Sequence, residues 1–282
     1  VAVGPEQDVK RLTGKIALVT GAGRGIGAAA AAKLAGEGAS VVVNDLDSAA
    51  ADETVRAING SGGNACACIG DLTAPGFPDH LVQLAVDNYG GLDIVVNNAG
   101  YIWNGAMHKH SDEQWQAMLD MHATAPFRVL RAFYPVLKAQ YERDIANGGL
   151  APCRKVVNVS SISGARGAAT QIGYSAGKAA VLGITKTLAQ EWGRYNVTVN
   201  AVAFGHIETR LTQVYEGDAP RIPVKGREFR VGLTHDQIDS LRAQSPLGRL
   251  GTVAEAAGAI CLFCFPESNF VSGEVLLCAG GA

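Results

Sequence analysis

Tyr174 and Lys178 stand four residues apart in a stretch with helical periodicity, so their side chains share a face and the ammonium reaches the phenol. A free tyrosine, with a pKa of about 10, is a poor base near neutrality. A neighbouring positive charge favours phenolate and lowers that value. Ser161, thirteen residues before Tyr174 at the end of an apolar run, can donate a hydrogen bond to an oxygen held beside the phenol. On most helices such a Tyr and Lys are a half-buried ring and a solvated amine. The remainder of the chain decides whether they do chemistry here.

A second constellation lies near the start. The run KIALVTG (15–21) leads into Thr20-Gly21-Ala22-Gly23-Arg24-Gly25-Ile26-Gly27 and then into an Ala-rich helical stretch. Glycines let the backbone turn tightly and approach a pyrophosphate, while the opening helix offers free N–H groups and the positive end of its dipole. Eighteen residues past Gly27, Asp45 closes the next apolar run. That spacing fits a carboxylate on the two hydroxyls of an adenosine ribose, where its charge repels a 2′-phosphate. NAD(H) is therefore expected, and NADP(H) disfavoured. Arg24 argues the other way, since a guanidinium beside the glycine turn can neutralise such a phosphate. No Lys or Arg follows Asp45 in LDSAAADETV to complete a phosphate pocket.

The elements that must position these residues follow from periodicity. Near-continuous apolar runs recur at 15–21, 40–45, 65–71, 93–100, 155–161, 197–204 and 274–280, as in strands buried on both faces of a parallel sheet. Helical stretches separate them, among them 25–38, 77–90, 111–140, 174–195 and 252–265. This alternation predicts an α/β fold: one Rossmann-type, doubly wound parallel sheet of seven strands flanked by helices. Residues 1–12 form an N-terminal extension and 13–282 a single catalytic domain. Two excursions interrupt the alternation. Residues 141–154 lengthen the turn before the fifth strand, and 206–245 is expected to be a substrate lid whose Tyr215, Ile222, Val224, Phe229 and Leu233 suggest an apolar substrate.

Composition excludes several classes. With 48% hydrophobic residues, 18% charged residues and a formal charge of −2, the chain suits a compact enzyme and offers no basic tract for nucleic acid. No apolar run is long enough to span a membrane, and the first residues lack a basic-then-apolar signal pattern, so a cytoplasmic location is expected. Cys66 with Cys68 and Cys261 with Cys264 lack the further Cys or His partners of a zinc site, and read as reduced core residues with no metal.

Taken in order, the glycine turn, Asp45, Asn97-Asn98-Ala99-Gly100, Ser161 and Tyr174-Ser175-Ala176-Gly177-Lys178 resemble the short-chain dehydrogenase/reductase family. The likeness runs from about residue 13 to 281. It implies that Thr20, Gly21, Gly25, Ile26 and Gly27 hold the coenzyme, with Asp71 and Leu72 near its adenine. Asn98, Ala99 and Gly100 would support the coenzyme and the central sheet, and Ile207 and Thr209 would meet its carboxamide end. It also implies Ser161, rather than Ser160, as the catalytic serine, Tyr174 as the acid/base, and Lys178 as the residue that binds the nicotinamide ribose and lowers the tyrosine pKa. Hydride transfer between nicotinamide and a secondary alcohol or ketone follows, in a homo-oligomer, a tetramer or dimer.

Three positions depart from the family pattern: His122 replaces a relay Asn, Phe204 a Pro, and Ala279 an Asp. His122 is expected at the inner end of a proton relay, titrating near neutrality. The main rival is an NADPH-dependent 3-oxoacyl thioester reductase. A dinucleotide sensor without chemistry would need no phenolate, and a methyl-transfer enzyme would leave the Tyr174–Lys178 pair unexplained.

Overall fold

A computed structural model describes residues 10–282 except Leu211 and Lys225, with only the backbone of 222–224, 227, 229 and 230. Most of the expected extension, and the side chains of Ile222, Val224 and Phe229, therefore lie outside the described residues.

The chain alternates β1 (Ile16–Val19), α1 (Gly25–Gly36), β2 (Ser40–Asp45), α2 (Ser48–Gly60), β3 (Asn64–Ile69), α3 (Phe77–Tyr89) and β4 (Ile94–Asn97). It continues through α4 (Asp112–Leu119), α5 (Ala125–Ala146), β5 (Arg154–Ser161), α6 (Ile162–Arg166), α7 (Ile172–Trp192) and β6 (Val197–Phe204). A small hairpin of β7 (Arg221–Val224) and β8 (Arg227–Arg230) follows, then α8 (His235–Gln244), α9 (Val253–Leu262) and β9 (Val275–Cys278).

Seven parallel strands form one sheet in the order β3-β2-β1-β4-β5-β6-β9. Alternate side chains bury opposite faces. Ala17 and Val19 of β1 and Val41 and Val43 of β2 pack with α1, α2 and α9, whereas Leu18 and Val42 pack with α3, α5 and the Trp192 end of α7. Apolar residues therefore follow one another along each strand without a polar face, as the near-continuous runs require. Strand order reverses beside β1, since β2 lies on one side of it and β4 on the other. Just beyond the carboxyl ends of β1 and β4 such a reversal leaves a crevice, where ligands bind in open α/β sheets.

The expected helix over 111–140 is broken in two. Between α4 and α5 the chain makes a wider, π-helical turn over Asp120–Thr124. Pro126 lacks the N–H that regular α-helix would direct to the His122 carbonyl, and its ring would clash there. Residues 141–146 continue α5, so the first excursion begins later than the sequence suggests. The second contains the β7–β8 hairpin and α8 rather than structureless loop.

Candidate active site

At the crevice, the glycine turn is shaped for close approach. Gly21 and Gly25 hold positive φ, 61° and 55°, which favours glycine. A Cβ on Gly27 would lie 2.5 Å from Asn98 Nδ2 and closer still to the Gly21 carbonyl oxygen, so only glycine lets α1 start this near the turn. Asn98 fastens the turn from β4, donating from Nδ2 to the carbonyls of Thr20 (2.9 Å) and Gly21 (3.0 Å). Thr20 Oγ1 accepts the backbone N–H groups of Asn98 and Ala99 at 3.0 and 3.1 Å. The resulting cradle borders the cleft through Gly21, Gly25 and Gly27 and fits a pyrophosphate at the α1 N-terminus.

Asp45 is already engaged. One carboxylate oxygen accepts from Gly23 N at 2.9 Å and the other from Asp47 N at 3.0 Å, joining the glycine turn to the start of α2. A carboxylate has lone pairs for further donors, so ribose hydroxyls can be added to these bonds. Arg24 pairs with Asp47 at 2.6 Å, both side chains being exposed. Asp71 Oδ1 accepts from the backbone and hydroxyl of Thr73 at 2.9 and 2.8 Å. Leu72 is buried beside it.

The catalytic half is carried by β5 and α7. An internal hydrogen-bond chain sets their spacing: Asn97 Nδ2 donates to Asn158 Oδ1 (2.9 Å), and Asn158 Nδ2 donates to Thr185 Oγ1 (2.9 Å). Ser160 and Ser161 then face different duties. The Ser160 hydroxyl donates to the Lys178 carbonyl at 2.7 Å and is buried, whereas Ser161 Oγ caps α6 by accepting from Ser163 N at 3.1 Å and keeps its own proton to donate. Lys178 Nζ donates to the Val159 carbonyl at 2.7 Å and lies 5.8 Å from the Tyr174 ring centroid.

Electrostatics differ from the simple expectation of a phenol already lowered by its lysine. Burial pushes the Tyr174 phenol up to about 12, offset in part by a hydrogen bond from Ser161. Burial likewise pulls Lys178 down to about 7. Desolvation is the largest influence on both groups. Tyr174 thus carries its proton at neutral pH.

His122 is buried where the π-helical turn crosses α7. Its ring meets Tyr174 edge-on with centroids 4.9 Å apart. A Cβ on Gly100 would fall 2.5 Å from His122 Cε1 and one on Gly177 2.7 Å from His122 Cβ, so both glycines make room for the imidazole. Nε2 lies 2.8 Å from the Tyr101 carbonyl, which can only accept, so the neutral ring carries its proton on Nε2. Burial first, and the Lys178 charge second, hold its pKa well below the ordinary histidine value. The expectation that His122 titrates near neutrality is therefore corrected.

Gly21, Gly25, Ile26 and Gly27 of the glycine turn line one cleft of about 870 Å³ together with Arg24, Asp45, Asp71, Leu72, Asn98, Ala99, Gly100, His122, Ser161, Tyr174, Lys178, Ile207 and Thr209, whereas Thr20 does not border it and instead ties the turn to Asn98 and Ala99. Among the described residues of the second excursion, His206, Ile207, Thr209, Arg210 and Thr212 border it. Tyr215 does not line the cleft and lies close against Gly232, while Leu233 pairs with Val214. Their use as evidence for an apolar substrate fails, because the excursion packs them on itself. Apolar lining comes instead from Ile102, Met121, Ile162 and Phe204. Phe204 is buried in the core yet reaches the cleft, and Ala279 packs against Gly205. Sequence reasoning passed over Gln171 and Arg210, both in the cleft wall. Their signal was position: Gln171 is one helical turn before Tyr174, and Arg210 follows Thr209.

Comparison with known proteins adds independent findings. The family model described as short chain dehydrogenase matches residues 15–219. The 3-oxoacyl-(acyl-carrier-protein) reductase FabG of Thermotoga maritima is 34% identical over 271 residues, which cover 96% of this chain and 98% of that one. The short-chain reductase protein NovJ of Streptomyces niveus is also 34% identical, over 94% of this chain and 93% of its own. Among solved structures, a double mutant of a Serratia marcescens short-chain dehydrogenase/reductase matches with a TM-score of 0.81 at 25% identity, covering 96% of this chain and 98% of that one.

Proposed function

The chain belongs to the short-chain dehydrogenase family, and from that premise we propose that it is an NAD(H)-dependent oxidoreductase interconverting a secondary alcohol and a ketone. The observation that carries this reading is the meeting of Ser161, Tyr174 and Lys178 with the glycine cradle in one cleft. Bound nicotinamide would supply or accept the hydride. In reduction Ser161 donates a hydrogen bond to the carbonyl oxygen and Tyr174 gives that oxygen its phenolic proton. In oxidation Tyr174 must first be phenolate, and takes the hydroxyl proton. Lys178, anchored on the Val159 carbonyl with its Nζ 5.8 Å from the Tyr174 ring centroid, would bind the nicotinamide ribose of a bound coenzyme. His122 keeps the Tyr101 carbonyl and the Tyr174 ring in place.

Coenzyme choice rests on charge. Asp45, Asp47 and Asp71 line the adenosine end, and Arg24 there is paired with Asp47. A 2′-phosphate would meet carboxylates, so NAD(H) is favoured. Relatives named 3-oxoacyl-(acyl-carrier-protein) reductase favour a second reading, an NADPH-dependent 3-oxoacyl thioester reductase. One experiment separates the two. Ketones and secondary alcohols, 3-oxoacyl thioesters included, are screened with NADH and NADPH, on wild type and on Asp45→Asn. That variant keeps the carboxylate's shape and removes its charge. NADH should give the higher kcat/KM, and the variant should narrow the ratio by about tenfold. Faster wild-type turnover with NADPH at low coenzyme concentration would overturn the assignment of Asp45.

A homo-oligomer, dimer or tetramer, is also proposed. Phe270 is wholly exposed, and Leu262 of α9 and Leu277 of the edge strand β9 are 57% and 45% exposed, apolar side chains that a second copy would cover. Sedimentation should find no monomer at micromolar concentration, and a stable monomer would refute this. A cytoplasmic setting agrees with six unpaired cysteines, Cys68, Cys261 and Cys264 being buried; disulfides in the protein isolated from its native cells would contradict it.

A further inference from the structure

We propose that Arg210 is a substrate anchor that selects compounds carrying an anionic group, such as a carboxylate, in addition to the reacting oxygen. The inference rests on the oxidoreductase reading above and specifies its substrate class.

Charge is distributed unevenly along the cleft. Among the described residues its acidic side chains are Asp45, Asp47 and Asp71, at the proposed adenosine end. The wall also carries Lys178, whose ammonium is buried and committed to the Val159 carbonyl, and Arg210, an exposed residue next to Thr209. Two histidines border the cleft, His122 and His206, and burial lowers the pKa of each. Arg210 makes no ion pair or side-chain hydrogen bond among the described residues. The nearest acid in sequence, Glu208, makes no ion pair with it among the described residues, and Arg249 is bound by Glu255 at 2.6 Å.

Gln171 adds a second observation. It borders the same cleft one turn before Tyr174, and its Oε1 is buried without a partner. The same amide carries two N–H groups that can donate. Arg210 and Gln171 thus both bring donors to the cleft wall. A planar guanidinium matches a carboxylate bidentately. The apolar side chains of Ile102, Met121 and Phe204 leave room for a hydrocarbon stem, so an oxo or hydroxy acid fits the cleft as a whole.

The test uses straight-chain oxo acids and their methyl esters with NADH, on wild type, Arg210→Gln and Arg210→Lys. Calorimetry of hexanoate and hexanamide binding to the enzyme–NAD complex accompanies it. Wild type should prefer acids over their esters by about tenfold or more in kcat/KM, the scale of a charge-assisted hydrogen bond. Arg210→Gln should erase that preference through KM for the acids, leaving the esters and coenzyme affinity unchanged, while Arg210→Lys retains part. Hexanoate should bind more tightly than hexanamide only when Arg210 is present. Equal use of acids and esters by wild type would overturn the proposal, as would an Arg210→Gln defect in NADH affinity, which would assign the guanidinium to a coenzyme phosphate. Failure of every carbonyl compound with either coenzyme would strike the oxidoreductase reading instead. The hexanoate comparison would then still decide the role of Arg210.

Discussion

The buried Lys178 beside Tyr174 illustrates how a site residue works against its fold. Lys178 has a pKa of about 7 in the folded chain, against an ordinary value of 10.5. Below about pH 7 both folded and unfolded chains carry the ammonium, and the cost of burying it is fully present. Between about 7 and 10.5 the unfolded chain binds the extra proton, so this cost fades as pH rises. Lys178→Met should therefore abolish turnover yet raise the Tm of the coenzyme-free protein by roughly 3 °C at pH 6, with the advantage shrinking toward pH 10. Differential scanning calorimetry checks this. An unchanged or lower Tm at pH 6 would mean that the Nζ bond to Val159 outweighs desolvation.

Between residue and fold stand the elements, and the π-helical turn at Asp120–Thr124 shows why some of the site was not legible in the sequence. The periodicity of 111–140 runs through the break, because apolar positions on both sides still face the core. Pro126 was visible, but a proline in the first turn of a new helix and one interrupting a long helix look alike in sequence. His122 was placed by the family pattern, in which it replaces a relay Asn, whereas its contacts with Gly100 and Gly177 join three separate elements. We expect it to act as a positioning residue held neutral. His122→Asn should keep most turnover with an unchanged pH–rate profile, since no titration of His122 contributes to it. His122→Leu, which strands the Tyr101 carbonyl, should lower kcat about tenfold and leave coenzyme affinity within about twofold. A shifted profile in His122→Asn would show that the imidazole does exchange protons during turnover.

At the scale of the whole molecule, the seven strands were legible to within a few residues because a sheet covered on both faces leaves no polar period to confuse the pattern. The excursion over 206–245 was not. Its hairpin and α8 fold on themselves, so Tyr215 and Leu233 report local packing, while Arg210, beside the motif residue Thr209, reaches the cleft. What the sheet contributes is the reversal beside β1, which brings chain positions from Gly21 to Thr209 to one opening. The proposed chemistry is concentrated at one atom of that opening, the Tyr174 hydroxyl. Turnover and NADH affinity of Tyr174→Phe, measured side by side on a ketone that wild type reduces, test it most directly. The account predicts a loss in kcat of about a thousandfold with NADH affinity within about twofold of wild type, because the ring and the cradle remain and only the transferable proton is gone; near-wild-type kcat with intact coenzyme binding would contradict it.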